Sequence, residues 1–292
     1  PSTYDPALIA ALGQDVVDRI AAAISAVPVT DADRVARCAR YDNDVPEFTF
    51  SGDGPRVLMF EKINGFRDGP SVDAAHAALL AMAEREGWQM VVTESGGAFN
   101  AETLAQFDAV IWNNISGDVL TLSQRQAFRD YIEGGGAFVG VHGTAGDPVY
   151  FWDWYADTLI GARFAGHPRD PQFQDARVVV DDASHPAAAD LPAEWVMRDE
   201  WYSFRSNPRD SGSRIIATLD ESTYQPAAGF GADISMGDDH PIAWSRIIGQ
   251  GRMFYSAIGH MPETYVHPNY VAMLEDAIHW AARMDGGGPN AD

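Results

Sequence analysis

The glycine-flanked turn Gly140-Val141-His142-Gly143-Thr144 is the clearest place in this chain where chemistry is expected. Small residues on both sides of a central residue permit the sharp strand-to-helix turn of a nucleophile elbow. A nucleophilic hydrolase would have Ser or Cys at the centre, whereas this chain has His142. Acyl-enzyme chemistry is therefore excluded at this turn. His142 could instead act as an acid or base, ligate a metal or hydrogen-bond a sugar hydroxyl.

Polar residues also follow three other predicted strands. Residues 61–67 follow the first strand, Asn113 and Asn114 end the third, and His260 follows the last. Ligands of open parallel sheets bind beyond the carboxyl ends of the strands. We therefore expect these side chains to meet His142 at one rim of the sheet.

Histidines and acids elsewhere extend the set of candidates. His167 and His240 each precede a proline, which favours extended backbone and predicts loop positions. A carboxylate beside a histidine can orient it or raise its basicity. We predict proton transfer by His142 and His260, with Glu200 or Asp239 as the carboxylate partner. The predicted sugar-binding side chains are Asn113, Asn114, His167, Tyr202, His240, Trp154 and Tyr265.

Cofactor motifs are missing from the sequence. No H-x-x-x-H, H-E-x-x-H or C-x-x-C spacing occurs, so a metal site would have to be assembled from distant loops. The Gly134-Gly135-Gly136 run precedes a predicted strand and does not open a helix, which argues against a phosphate loop. No cofactor is evident, and a divalent metal is kept as an alternative.

Short apolar runs alternate with amphipathic helices in the first half of the main domain. The predicted strands are 56–61, 88–94, 108–114 and 134–143, with helices at 71–86 and 123–133. Less regular strands follow at 176–182, 214–220, 241–247 and 251–259, before a closing helix at 268–284. This alternation predicts an α/β fold, a flavodoxin-like doubly wound sheet that is mostly parallel and carries long ligand-binding loops.

The ends of the chain differ from this domain. Helical periodicity at 6–27 and a short helix at 34–40 precede a Pro- and Gly-containing linker at 42–55. We therefore divide the chain into an N-terminal helical extension with its linker (1–55), the main α/β domain (56–285) and a tail (286–292).

Composition narrows the classes of partner. The 292 residues include 20 Lys and Arg against 42 Asp and Glu, a formal charge of −22. Without clustered cations, nucleic acid is excluded, and an acidic surface favours a neutral ligand. No apolar run is long enough to cross a bilayer, so no membrane partner is expected. Cys38 cannot form an internal disulfide and residues 1–30 do not read as a secretory signal, so a cytoplasmic protein is expected.

Several motifs stand in an order that is typical of one known family. They are VGVHGT around His142, GARFAGHP (161–168), DEWYSFRSNPR (199–209), TLDESTY (218–224), DHPIAWSR (239–246) and GRMFYSAIGH (251–260). On these residues the chain resembles the ThuA family, the trehalose-utilisation proteins with a class I glutamine amidotransferase-like fold. The resemblance covers about residues 56–284. Residues 66–68 depart from it, because many relatives have a histidine after the arginine.

The resemblance implies a role in carbohydrate catabolism without the amidotransferase cysteine, in association with sugar oxidoreductases and keto forms of disaccharides. We therefore expect an enzyme, not a glutamine amidotransferase, that acts on a neutral sugar or keto-glycoside of the 3-keto disaccharide class. Its general acid/base chemistry would give isomerisation or glycosidic elimination or hydrolysis. The alternatives are a non-catalytic sugar-binding partner of a sugar dehydrogenase and a metal-dependent hydrolase. A homo-oligomer is compatible with each of these three functions.

Overall fold

A computed structural model describes residues 41–146, 152–226 and 233–284 of the chain. The helices predicted at 6–27 and 34–40 and the tail 286–292 lie outside the described residues. Within the described ranges, no helix is long and apolar enough to span a membrane.

One nine-stranded sheet organises the fold. The strands are β1 (Arg56–Phe60), β2 (Gln89–Thr93), β3 (Ala109–Asn113), β4 (Ala137–Val141), β5 (Phe164–Gly166), β6 (Phe173–Val180), β7 (Glu194–Glu200), β8 (Ser203–Phe204), β9 (Arg214–Asp220), β10 (His240–Ile248) and β11 (Gly251–Ser256). The sheet order is β2-β1-β3-β4-β11-β10-β9-β6-β7, and β5 pairs with β8 in a separate two-stranded sheet.

Strand direction divides the large sheet into two parts. From β2 to β11 every neighbouring pair is parallel. Beyond β11 each pair is antiparallel, so β10 and β6 run against the rest. Seven of the nine strands therefore share one direction, which confirms the predicted α/β class and its mostly parallel sheet.

Three helices lie in the crossovers of the parallel part, and a fourth follows the last strand. They are α1 (Gly69–Glu86), α2 (Ala101–Leu104), α3 (Leu122–Glu133) and α4 (Pro268–Ala282). Thr121 and Gln124 form a capping box that satisfies free backbone N–H groups at the start of α3. Gly87 ends α1 in the left-handed conformation, with a φ of 72° that favours glycine. Local sequence thus sets the ends of these helices.

The core lies between the parallel strands and the helices. Every residue of β3 and β4 is buried, as expected for central strands of a covered parallel sheet. Trp112 on β3 stacks on Phe128 of α3 and on Tyr155, with ring centroids 5.4 and 5.2 Å apart. Tyr155 belongs to a π-helix, Trp154–Ile160. This aromatic stack joins the helix α3 and the π-helix to the strand that ends at Asn113.

The structure adds three local findings to the predicted elements. The Asp199-Glu200 pair ends a regular strand, β7, which periodicity did not reveal. His240 begins β10 and does not lie in a loop, because the extended backbone that a following proline favours is also strand backbone. The predicted linker 42–55 forms no helix or strand, and it lies against the domain through Phe48 and Phe50, whose rings contact Phe107.

Gly251 at the start of β11 gives a test of the sheet geometry. A Cβ atom there would lie 2.0 Å from the carbonyl oxygen of Ile132 and 2.6 Å from that of Gly136. We predict that Gly251→Ala lowers the free energy of unfolding by about 1–3 kcal/mol, because backbone atoms cannot move aside cheaply. The matched change Gly69→Ala, whose Cβ meets nothing within 4 Å, should cost less than about 0.5 kcal/mol. Urea unfolding measures both, and equal effects would contradict the packing described.

Candidate active site

A cavity of about 810 Å³ opens at the carboxyl ends of the parallel strands. This volume is within the range that is usual for small-molecule binding sites. Six residues predicted from sequence line it: Asn114, His142, His167, Glu200, Tyr202 and His260. The strand-end rule therefore locates the cavity, although its wall also includes residues from β7 and from the β5–β8 sheet.

His142 projects into the cavity from the turn after β4. Its φ is 40°, a conformation that non-glycine residues adopt only when the surrounding structure enforces it. Its Nδ1 lies 2.7 Å from the carbonyl oxygen of Ala257 and must donate to it, because a carbonyl only accepts. In neutral His142 the Nε2 atom then carries a lone pair. That atom faces Glu200 and His260, and the Tyr202 ring covers the imidazole at 4.1 Å between centroids.

Glu200 is the carboxylate on which the site converges. Its Oε2 lies 3.0 Å from His260 Nδ1 and 3.4 Å from His142 Nε2. Its Oε1 lies 3.2 Å from His167 Nδ1 and accepts a hydrogen bond from Gln172. Burial raises the pKa of Glu200, but the adjacent imidazoles of His142 and His260 outweigh burial and hold that pKa well below its usual value. Glu200 is therefore ionised at neutral pH.

Asp199 fixes the loop that carries His260. It is fully buried, and its two carboxylate oxygens accept five hydrogen bonds. The donors are the backbone N–H groups of Glu200, Gly259, His260 and Met261 and the hydroxyl of Thr264. Burial raises the pKa of Asp199, whereas these donors favour its ionised form. Asp199 thus fixes the position of His260, the histidine that contacts Glu200.

His260 lies between two carboxylates. Besides the contact of its Nδ1 with Glu200, its Nε2 is 3.6 Å from an oxygen of Asp68. Burial lowers the pKa of His260, but its hydrogen bond to Glu200 and the nearby acids outweigh burial and raise that pKa above its usual value. Sequence reasoning missed Asp68. The available signal was its place directly after the polar run 61–67, at the N-cap of α1.

Three predicted binding residues form hydrogen bonds within the protein: Asn113, Asn114 and Tyr265. Asn113 is fully buried and donates to Glu61 and to the carbonyl of Val72, so it does not face the cavity. Asn114 accepts from the backbone N–H of Gly143 at 3.2 Å and donates to the Tyr265 hydroxyl at 3.1 Å. The amide that would stabilise an oxyanion after a nucleophile elbow is thus already paired with a side chain, in keeping with a histidine at its centre.

Besides Asn113 and Tyr265, three further predicted site residues lie away from the cavity lining. Asp239 pairs with Arg209 at 2.9 Å on the surface. The Nε1 of Trp154 donates to Glu133 at 3.2 Å, beside the helix α3. His240 is fully buried, with its Nδ1 2.7 Å from Glu221 and its Nε2 donating to the carbonyl of Tyr202 at 2.8 Å. Of these three, His240 alone is linked to the site, through the backbone of Tyr202.

The same cluster has the donor set of a metal centre. One ligand atom from each of His142, His260 and Glu200 lies within 4.8 Å of the other two. Metal-bound histidines usually donate their second N–H to a carbonyl or carboxylate. Here the carbonyl of Ala257 accepts from His142, and Asp68 lies 3.6 Å from the second ring nitrogen of His260. Two imidazoles and one carboxylate suit zinc or another divalent transition metal with an open position.

Comparison with known proteins agrees with this architecture. A family model described as ThuA, trehalose utilisation, matches residues 56–281. The chain belongs to the ThuA family. A crystal structure of a ThuA-like protein from Bacteroides uniformis is 25% identical, covers 84% of this chain and 99% of its own, and superposes with a TM-score of 0.67.

More distant structures share the fold of this ThuA family member. A ThuA-like protein from Parabacteroides merdae is 16% identical over 79% of this chain and 90% of its own, with a TM-score of 0.55. A protein from Salmonella typhimurium that is described as cytoplasmic is 10% identical over 77% of this chain and 98% of its own, with a TM-score of 0.51. No protein of curated function matches the sequence.

The ion pair between Glu200 and His260 predicts that the stability of the chelator-treated protein depends on pH. Because the folded pKa of His260 is raised, its stabilising contribution is complete below about pH 6.5 and is lost as pH rises through the folded pKa. The lowered pKa of Glu200 gives a contribution that is present above about pH 4.3 and lost as pH falls. Glu200→Gln should therefore lower the pKa of His260.

Proton NMR titration of the imidazole resonances measures this change. Glu263→Gln is the matched control, because Glu263 is exposed and lies three residues from His260. A His260 that titrates below about pH 6.5 in the wild type, or that responds equally to both substitutions, would contradict the ion pair.

Proposed function

We propose that this chain is an enzyme that processes a sugar or keto-glycoside of the 3-keto disaccharide class by general acid/base chemistry. The reaction would be an isomerisation, or a cleavage of the glycosidic bond by elimination or hydrolysis. The observation that carries the proposal is the convergence of His142 Nε2, His260 Nδ1 and Glu200 Oε2 in one cavity. The trehalose-utilisation description of the family supports a carbohydrate as substrate.

The three side chains differ in the roles for which their surroundings suit them. His142 donates its Nδ1 proton to Ala257, so its Nε2 is a base in the neutral form. His260 lies beside ionised Glu200 and Asp68, which favour its protonated form, so it is suited to act as the acid. One base and one acid about 3.1 Å apart can serve two neighbouring atoms of a substrate.

Proton abstraction next to a carbonyl uses both groups. In an elimination, the base takes the proton from the carbon between the keto group and the glycosidic carbon. The electrons of that C–H bond form a double bond, the glycosidic C–O bond breaks, and the leaving oxygen takes the proton of the acid. His142 and His260 fit these two roles, while Glu200 keeps His260 charged before the proton leaves.

The cavity wall is suited to a sugar ring. Tyr202, Phe164 and Phe66 line it, and the Tyr202 and Phe164 rings contact each other at 4.5 Å between centroids. Aromatic faces pack against the apolar C–H faces of sugars, while Asn114 and His167 offer polar atoms to hydroxyl groups. A volume of about 810 Å³ leaves room for a disaccharide.

Replacement of the two histidines tests the acid/base assignment. We predict that His142→Ala and His260→Ala each lower kcat for an accepted keto disaccharide by about 10²–10⁴-fold. His279→Ala is the matched control, because His279 lies on α4 and pairs with Glu86 outside the cavity. Product formation followed by NMR measures turnover. Unchanged turnover in both cavity variants would overturn the assignment.

A metal-dependent hydrolase is the second candidate, and the three ligand atoms within 4.8 Å favour it specifically. His142, His260 and Glu200 would hold the ion, which when bound would polarise a carbonyl or activate water. We predict that Zn²⁺ raises the thermal midpoint of the wild-type chain and that Glu200→Gln removes most of this shift. Glu263→Gln should retain it. Zinc binding that is equal in the wild type and Glu200→Gln would contradict a metal centre at this cluster.

A non-catalytic role as a sugar-binding partner of an oxidoreductase makes a different prediction from both candidates. Tight binding of a keto sugar with no product, either alone or with added metals, would favour that role. Turnover by the isolated chain would exclude it.

A further inference from the structure

The charge of the cavity differs from the charge of the chain. The whole chain carries a formal charge of −22, which favours a neutral ligand. The ionisable lining of the cavity instead comprises two acids, Asp68 and Glu200, two arginines, Arg169 and Arg205, and three histidines. The formal charges of these two acids and two arginines cancel, so the lining does not share the large negative charge of the chain. The cavity is thus a local exception on an acidic protein.

The acids and the arginines have different positions in this lining. Glu200 contacts His142, His167 and His260, and Asp68 contacts His260, so both carboxylates are engaged with the catalytic histidines. The arginines come instead from the two-stranded β5–β8 sheet and the segment that follows β5. Positive charge is therefore added by a separate wall.

That wall has a fixed backbone. Arg205 directly follows Phe204, a buried residue whose ring packs against Trp244 at 5.0 Å between centroids. The backbone N–H of Arg205 donates to the carbonyl of Arg163 at 2.8 Å, which extends the pairing of β5 with β8. Arg169 follows the segment that contains His167, whose imidazole contacts Glu200. Arg205 is thus held by the β5–β8 pairing, and Arg169 lies two residues from a histidine that contacts Glu200.

We propose that Arg169 and Arg205 form a subsite for an oxyanion carried by the sugar substrate, either a carboxylate or a phosphate. A guanidinium has five N–H donors, so each arginine can keep a partner within the protein and still bind a ligand oxygen in a bidentate manner. This inference rests on the proposed function and specifies its substrate class: an acidic sugar or an acidic glycoside. The reacting ring would lie at His142 and His260, and the anionic group at the β5–β8 wall.

The large acidic excess of the chain explains why the sequence did not reveal this subsite. On the described surface, Arg163 binds Asp153 and Asp157, and Arg209 binds Asp181 and Asp239. These ion pairs offset part of the excess of acidic residues. An anionic ligand gains little from the protein as a whole, so its recognition depends on the cations of the cavity itself.

Matched sugars test the subsite by binding alone. The probes are D-glucuronate, its neutral methyl ester and D-glucose 6-phosphate, with dissociation constants measured by NMR titration on the full chain. We expect an anionic sugar to bind at least roughly tenfold more tightly than the ester, and we expect this advantage to disappear in the double variant Arg169→Gln, Arg205→Gln. The stronger of glucuronate and glucose 6-phosphate identifies carboxylate or phosphate as the preferred group.

A second double variant, Arg177→Gln with Arg209→Gln, controls for net charge. It removes the same two positive charges from residues that pair with acids outside the cavity lining, so the anion preference should persist. Three results would overturn the subsite: equal affinity for glucuronate, glucose 6-phosphate and the ester, no measurable binding of either anion, or an advantage that survives loss of Arg169 and Arg205. These results are independent of turnover, so they are distinguishable from a failure of His142 and His260 as catalytic residues.

Discussion

One buried carboxylate, Asp199, holds the two parts of the candidate site together. Asp199 does not line the cavity. It accepts hydrogen bonds from Glu200 on its own strand and from residues about sixty positions later, in the turn after β11. Backbone N–H groups in a buried turn must be paired, because an unpaired group costs roughly 1–3 kcal/mol. A single side chain satisfies three of them and a hydroxyl in the 259–264 turn. The position of His260 relative to Glu200 follows from this arrangement.

The site therefore depends on both parts of the sheet. The parallel part provides His142 after β4 and His260 after β11, at the edge where ligands of open α/β sheets bind. The antiparallel part provides Glu200 at the end of β7, together with Tyr202, which covers His142. His240 at the start of β10 binds the carbonyl of Tyr202, so the second half also fixes this cover. Neither half alone would bring both histidines and Glu200 together.

The sequence predicted the parts of the site that follow from strand ends. His142, His260 and Asn114 could be found because parallel strands bring their carboxyl ends to one edge. The choice between Glu200 and Asp239 could not be made, since it depends on Arg209, which is thirty positions from Asp239 in sequence and pairs with it. Asp68 was missed because its contact with His260 joins the N-cap of α1 to a residue that lies far later in the sequence. Likewise the burial of His240 depends on Glu221 and on the Tyr202 carbonyl, which no local pattern reveals.

We propose that His142, His260 and Glu200 form the reacting centre for a sugar. A crystal structure of the chain soaked with a 3-keto disaccharide, beside one soaked with the parent disaccharide, tests it most directly. We expect the keto-bearing ring to lie in the cavity, with a ring substituent within roughly 2.6–3.2 Å of His142 or His260. A keto sugar bound away from all three side chains, or held in the cavity without reaching any of them, would contradict it.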